Sequence, residues 1–156
     1  MVYRGLVRPA LFALPPERAS KLGELAFRAP LLWGAARPWL SPADTALRIT
    51  LANMELPSPV GAAAGIDKDC RFMGSLLDTG FGFATGGTVT LSQRPGNPKP
   101  RLLRDPARRA VINAMGFPGA GLDSAERRLR ALGDRRARMF VSVSGTIDEE
   151  ILACHA

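Results

Sequence analysis

The stretch Val60-Gly61-Ala62-Ala63-Ala64-Gly65-Ile66-Asp67-Lys68 decides how the chain is read. Residues 60–64 are small and apolar with no alternating polar face, the pattern of a strand covered on both sides, and Gly65 ends it. Downstream, Phe72, Met73, Leu76 and Leu77 predict a helix over residues 70–79, and Gly80 separates it from a second strand at 83–89. Leu122, Ala125, Leu129 and Leu132 then form an apolar stripe. Asp123 and Glu126 lie towards its start and arginines gather at its end, the order a helix dipole favours. Residues 139–143 make a third strand. The alternation β, α, β, α, β predicts a parallel α/β domain, and periodicity by itself leaves the opening of a barrel and a doubly wound sheet both standing.

Residues 91–117 are rich in Pro and Gly and long enough to be an active-site excursion rather than a minimal connection. Upstream, residues 48–56 predict a small antiparallel hairpin around Asn53. Val7, Leu11 and Leu14 recur at helical spacing, with Pro9 starting or kinking that helix and Pro15-Pro16 interrupting it. A second helix runs over residues 17–27, with Leu22, Leu25 and Ala26 on one face and Glu17 and Lys21 as an i,i+4 ion pair. Residues 30–40 are strongly apolar and predict a short helix or bend, with Trp33 and Trp39 at an interface. The chain therefore divides into a helical region at 1–40 and an α/β domain at 41–156. Residues 1–40 suit either a cap packed on the core or a foot lying in a membrane interface, since they join Leu, Phe and Trp to Arg and Lys.

Composition narrows the partners. The 156 residues carry a formal charge of +7, which attracts nucleic acid and anionic membranes alike. The densest basic run, residues 127–138, contains no aromatic residue that would stack on bases, so it reads as a solvated helix and loop and nucleic acid is not an expected partner. No run of 18 apolar residues suggests a membrane span, and the proline-rich start does not resemble a cleaved signal peptide. Cys70 and Cys154 lie too far apart for a metal cluster, and no metal site is expected.

Several positions could carry chemistry. Small residues at Ala63-Ala64-Gly65 would let a planar cofactor or a phosphate approach the backbone at a strand end, although the spaced glycines of a dinucleotide fingerprint are missing. Lys68 suits an anionic ligand, or else an ion pair with Asp67 or Asp69. Thr88 could hydrogen-bond a cofactor at the end of the second strand, or serve as a turn residue. In Asn113-Ala114-Met115-Gly116-Phe117 a carboxamide able to donate and accept stands beside an apolar wall, with a structural turn as the rival reading. His155, the sole histidine, lies one residue from the end with no separate base for a triad, and Ser142 and Ser144 lack the elbow of a nucleophilic serine.

Taken together, Gly65-Ile66-Asp67-Lys68, Thr79-Gly80-Phe81-Gly82-Phe83, Gly87-Thr88-Val89-Thr90, Pro95-Gly96-Asn97-Pro98-Lys99-Pro100-Arg101 and Ile112-Asn113-Ala114-Met115-Gly116-Phe117 resemble the quinone-dependent (class 2) dihydroorotate dehydrogenases in order and separation. The likeness extends from Tyr3 to about Leu132 and includes Pro9-Ala10-Leu11-Phe12 and Pro16-Glu17-Arg18-Ala19. It implies the N-terminal part of a (β/α)8 TIM barrel that holds FMN, preceded by a helical membrane-associating foot that forms the quinone entrance. It implies oxidation of dihydroorotate to orotate in pyrimidine biosynthesis, with electrons passing to ubiquinone or menaquinone at the cytoplasmic side of the cell membrane. By the same likeness Ala64, Gly65, Lys68 and Thr88 meet FMN; Lys68, Asn113, Ala114, Met115, Gly116 and Phe117 meet the substrate; and Arg104 lies beside the quinone tunnel. The base serine of that family belongs to a later barrel loop, so no catalytic base is expected within these residues, and the chain is expected to be an inactive fragment. At the third strand the likeness departs. Ser142 stands where the family has an asparagine that meets FMN, and residues 143–150 are closer to the soluble dihydroorotate dehydrogenases. A soluble fumarate- or NAD-linked relative, and a non-catalytic truncated α/β binding domain, are the alternatives.

Overall fold

A computed structural model describes residues 3–41, 44–145 and 147–154. Thr146 and His155 lie outside the described residues. A wide helical turn at Tyr3–Val7 leads into α1 (Arg8–Phe12), and α2 (Pro16–Phe27) and α3 (Pro30–Leu40) follow. Each of these three helices has proline in its first two positions, where the missing amide costs nothing. Residues 30–40 form one helix despite the internal Pro38. It is held in part by Trp33 Nε1 donating to Ala26 O at 2.9 Å. Trp33 stacks on Phe27 at 5.0 Å, and Phe27 on Phe72 at 5.6 Å, so one tryptophan turns inwards while Trp39 stays 83% exposed.

The predicted hairpin is present as β1 (Ile49–Leu51) paired antiparallel with β2 (Met54–Leu56). Its two turn residues, Ala52 and Asn53, take φ of 46° and 63°, the left-handed geometry of a tight two-residue hairpin turn. The parallel sheet comprises β3 (Gly61–Ala62), β4 (Phe83–Val89) and β7 (Met139–Val143), in that order. β3 is shorter than the strand predicted at 60–64. Beyond Ala62 its ladder gives way to two bonds at Gly87, from Gly65 N to Gly87 O and from Gly87 N to Asp67 O, both at 2.8 Å. Because the strands run parallel and in sequence order, their carboxyl ends lie together, and Ser144 N donates to Val89 O at 2.9 Å at that end.

α4 (Met73–Asp78) crosses between β3 and β4 and is buried along its whole length. Asp67 starts it by accepting the amides of Arg71 at 2.8 Å and Phe72 at 2.6 Å. Phe72, Met73, Leu76, Leu77, Ala84 and Val89 form much of the core, each large side chain contributing about 1.5–3 kcal/mol by burial. α5 (Leu122–Arg130) lays Leu122, Ala125 and Leu129 on that core, as its stripe predicts, and α6 (Asp148–Ala153) follows β7.

The excursion at 91–117 contains the antiparallel hairpin of β5 (Leu102–Asp105) and β6 (Ala110–Asn113). The basic run at 127–138, expected as a solvated helix and loop, is more than a solvated face. Arg128 reaches Asp69 O at 2.8 Å, Arg135 reaches Gly74 O at 2.9 Å and Asp78 at 2.7 Å, and Arg138 reaches Gly82 O at 3.2 Å.

Candidate active site

The carboxyl ends of the parallel strands and the excursion at 91–117 enclose an open cavity of about 460 Å³. Its wall contains Gly65 and Lys68 from the loop after β3, Thr88 from β4, and Asn113, Met115, Gly116 and Phe117 from β6 and the loop beyond it. Seven of the residues singled out from the sequence thus come together from three separate segments.

The loop after β3 is ordered by its two carboxylates, which leaves Lys68 to face the cavity. Asp67 is spent on the start of α4. Asp69 pairs with Arg71 at 2.9 Å and accepts the Ala120 amide at 2.7 Å. Lys68 pairs with neither. Its Nζ donates to Gly65 O at 2.9 Å and is left half-buried with further donors to offer. Gly65 itself has φ +95°, and a Cβ added there would meet nothing within 4 Å, so the backbone at the β3 end borders open space.

Thr88 is half-buried, and its hydroxyl lies 3.1 Å from the Ser142 hydroxyl. Ser142 therefore stands behind Thr88 and is not in the cavity wall, which is where the departure from the family pattern at this position takes effect. On the opposite wall Asn113 ends β6 opposite Leu102, and its carboxamide is exposed with no protein partner among the described residues. Phe117 has φ of 50° and is 44% exposed, a large apolar ring held at a left-handed backbone position. Ala114 is in the same loop but not in the wall. Its amide donates to Arg101 O and its carbonyl accepts from Asn97 Nδ2, both at 2.9 Å.

Ala64 is exposed beside Gly65 and likewise does not line the cavity. Arg104, on β5, is not in this wall either. Its guanidinium lies 4.7 Å from the centre of the Phe12 ring and donates to Leu11 O at 3.3 Å and Leu14 O at 3.4 Å, which fastens the end of α1 to the hairpin. Ser20 of α2, Leu102 and Pro118 complete the cavity, and none was foreseen. Ser20 could have been found only by knowing that α2 lies across the hairpin, a contact no local pattern encodes.

The thiols are not reactive groups of this site. Burial, reinforced by the nearby Asp67 and Asp69, pushes the Cys70 thiol up to about 12, and burial with Glu150 raises Cys154.

Residues 46–155 match the dihydroorotate dehydrogenase family. The dihydroorotate dehydrogenase (quinone) of Erythrobacter litoralis is 44% identical over 146 residues, covering 93% of this chain and 41% of that protein. The protein of the same description from Acidithiobacillus ferrooxidans is 47% identical over 132 residues, covering 82% of this chain and 36% of its own length. Ligand-free DHODH from Eimeria tenella superposes with a TM-score of 0.66 at 30% identity, over 83% of this chain and 40% of that one. The chain spans about two fifths of the length of these relatives. With the family match extending over most of the domain and the relatives all of the quinone type, the chain belongs to the dihydroorotate dehydrogenase family, in its quinone-dependent class.

Proposed function

We propose that these residues supply one side of the active site of an FMN-dependent dihydroorotate dehydrogenase that reduces a quinone, ubiquinone or menaquinone. The observation that carries this reading is the cavity that gathers Gly65, Lys68 and Thr88 opposite Asn113 and Phe117. In the complete protein the three parallel strands are the first of a (β/α)8 barrel, whose carboxyl-end loops form the site. Residues 1–40 are then a helical region distinct from the barrel domain at 41–156.

The residues present fit FMN. Gly65 borders open space, the Thr88 hydroxyl offers a hydrogen bond, and Lys68 supplies positive charge beside both. Ala64 and Gly65 would give the group their backbone, with Lys68 and Thr88 as side-chain partners, and Ser142 would act only through Thr88. FMN, when bound, supplies the redox chemistry that removes two electrons from dihydroorotate. The Asn113 carboxamide, without a partner among the described residues, both donates to and accepts from a planar cyclic amide and so fixes its orientation. Lys68 attracts the substrate carboxylate, and the Phe117 ring shields the reacting face from water. Met115 and Gly116 close the wall behind the ligand. No residue of this wall is placed as the base that takes the substrate proton.

Arg104 at the α1 end suits the tunnel through which a quinone would enter. No helix among the described residues is long and apolar enough to cross a membrane. Leu31, Leu32 and Trp39, exposed by 89%, 60% and 83%, suit peripheral contact with the cytoplasmic side of the cell membrane.

The test is a chimaera in which these 156 residues replace the matching segment of the Erythrobacter litoralis protein. Dihydroorotate oxidation with a quinone as acceptor is the expected result. Turnover only with fumarate or NAD would place the chain among the soluble relatives, favoured by residues 143–150, and a chimaera that neither binds flavin nor oxidises dihydroorotate would leave a binding domain.

A further inference from the structure

Glu17 reads from the sequence as the partner of Lys21, one turn along α2. In the structure its carboxylate points across the molecule instead. Oε1 accepts the Arg101 amide at 3.0 Å and Oε2 lies 3.6 Å from Lys99 Nζ, 84 and 82 residues downstream respectively. The Glu17 side chain is 19% exposed, and the Arg101 amide first, then Lys99, hold its carboxyl below the usual range.

Arg101 continues the connection. Its Nη1 donates to the carbonyls of Pro95 at 2.9 Å, Asn97 at 3.1 Å and Met115 at 3.4 Å, while its own carbonyl accepts the Ala114 amide at 2.9 Å. Asn97 adds two more bonds to the same loop, from its amide to Met115 O and from Nδ2 to Ala114 O, both at 2.9 Å. The fit is tight. Gly96 has φ +75°, and a Cβ there would overlap both Arg101 Nη1 and the Met115 oxygen, so the fork closes only around glycine.

We propose that Glu17 is a positioning residue for the substrate loop. Through the Arg101 amide it fixes Arg101 against Met115, and Arg101 in turn sets where Asn113 and Phe117 present themselves to the cavity. A helix of the quinone-entrance region is thereby tied to the wall that receives dihydroorotate, and by linkage a ligand in that wall tightens α2 as much as α2 tightens the loop. The proposal rests on the reading of residues 113–117 as the substrate wall.

Two measurements test it. In the chimaera, Glu17→Ala raises the KM for dihydroorotate by about tenfold and leaves kcat within about twofold, because one bond to a charged group is lost away from the reacting atoms. Glu17→Gln keeps an oxygen for the Arg101 amide and returns KM to within about threefold of the parent. An unchanged KM in Glu17→Ala, a fall in kcat alone, or a Gln variant as impaired as the Ala variant overturns the proposal. In the 156-residue chain, hydrogen exchange provides a readout that needs neither flavin nor turnover. Glu17→Ala speeds exchange at the Asn97 and Ala114 amides and leaves the Arg94 and Gly119 amides, paired with each other's carbonyls, as they were. Unchanged protection at Asn97 and Ala114 rejects the strut even if the chimaera proves inactive and the proposed activity falls separately. Should Glu17→Ala lose protection throughout the sheet, Arg101→Lys decides: faster exchange confined to Asn97 and Ala114 supports the strut, and normal exchange there rejects it.

Discussion

Asn113 is the side chain on which the substrate assignment turns, because its carboxamide faces the cavity with no protein partner among the described residues. In the chimaera, Asn113→Ala is expected to cost about 1–3 kcal/mol of transition-state stabilisation, read in kcat/KM for dihydroorotate, with flavin content unchanged. Loss of flavin at constant turnover per bound flavin would move Asn113 to the cofactor side. Lys68→Ala is expected to lower both quantities, since Lys68 and Gly65 sit together in the wall. Cys70 offers a pH test. Burial pushes its thiol from the usual 9.0 up to about 12 in the folded chain, so at pH 8 it stays protonated and unreactive. Alkylation followed by mass analysis should therefore label Cys154 first and Cys70 only on unfolding. Because the folded state binds the extra proton, stability held below pH 9 is lost as pH rises towards 12. Early labelling of Cys70 at pH 8 would contradict its burial.

Among the elements, α4 depends on a distant arginine. Asp78 is buried at the end of α4, and Arg135 pairs with it at 2.7 Å while also bonding Gly74 O, so the turn before β7 closes over the helix. Arg135→Ala strands that carboxylate. A loss of about 1–3 kcal/mol is expected in urea unfolding, below that for a fully buried pair because Arg135 is 43% exposed. A midpoint equal to the parent's would show that water replaces the guanidinium without penalty. The helices at 1–40 make a different prediction. Vesicles of phosphatidylglycerol and phosphatidylcholine should carry the chain upwards in flotation, and Leu31→Ser with Trp39→Ser should abolish most of that recovery by removing exposed apolar surface. Equal recovery of parent and variant would move the membrane contact elsewhere.

At the scale of the whole molecule, the sheet has three parallel strands in the order β3-β4-β7, and its outer edges have no strand partner among the described residues. Val141, 39% exposed on β7, and Leu152, 69% exposed on α6, add apolar surface. The 156 residues expressed by themselves are therefore expected to self-associate through those edges, with light-scattering mass rising with concentration. They are also expected to show no dihydroorotate oxidation, because active barrels draw residues from several strand ends over roughly 250 residues and no base stands in this wall. A monomer that turns over at the chimaera's rate, with contaminating enzyme excluded by mass, would overturn both expectations.

The sequence by itself determined the elements whose evidence is local. The strands at 83–89 and 139–143, the stripe from Leu122 to Leu129 and the hairpin turn at Asn53 each carry their pattern within a few residues. The family likeness, more than any local pattern, marked most of the cavity wall, namely Gly65, Lys68, Thr88, Asn113, Met115, Gly116 and Phe117. What the sequence could not carry is pairing across distance. The β5 and β6 strands lie inside a Pro- and Gly-rich run and show no clean alternation, so only their mutual hydrogen bonds define them. The helix α4 was legible from Phe72, Met73, Leu76 and Leu77, but its being covered on every side was not, because its Ser75 and Asp78 read as a solvent-facing side. Glu17 had a plausible partner at Lys21 one turn away, yet its carboxylate found the Arg101 amide and Lys99. A solvated i,i+4 pair contributes only tenths of a kcal/mol, whereas a partly buried charged bond to an otherwise unpaired amide contributes more. That choice depends on α2 lying across the loop, and only the tertiary structure brings the two together.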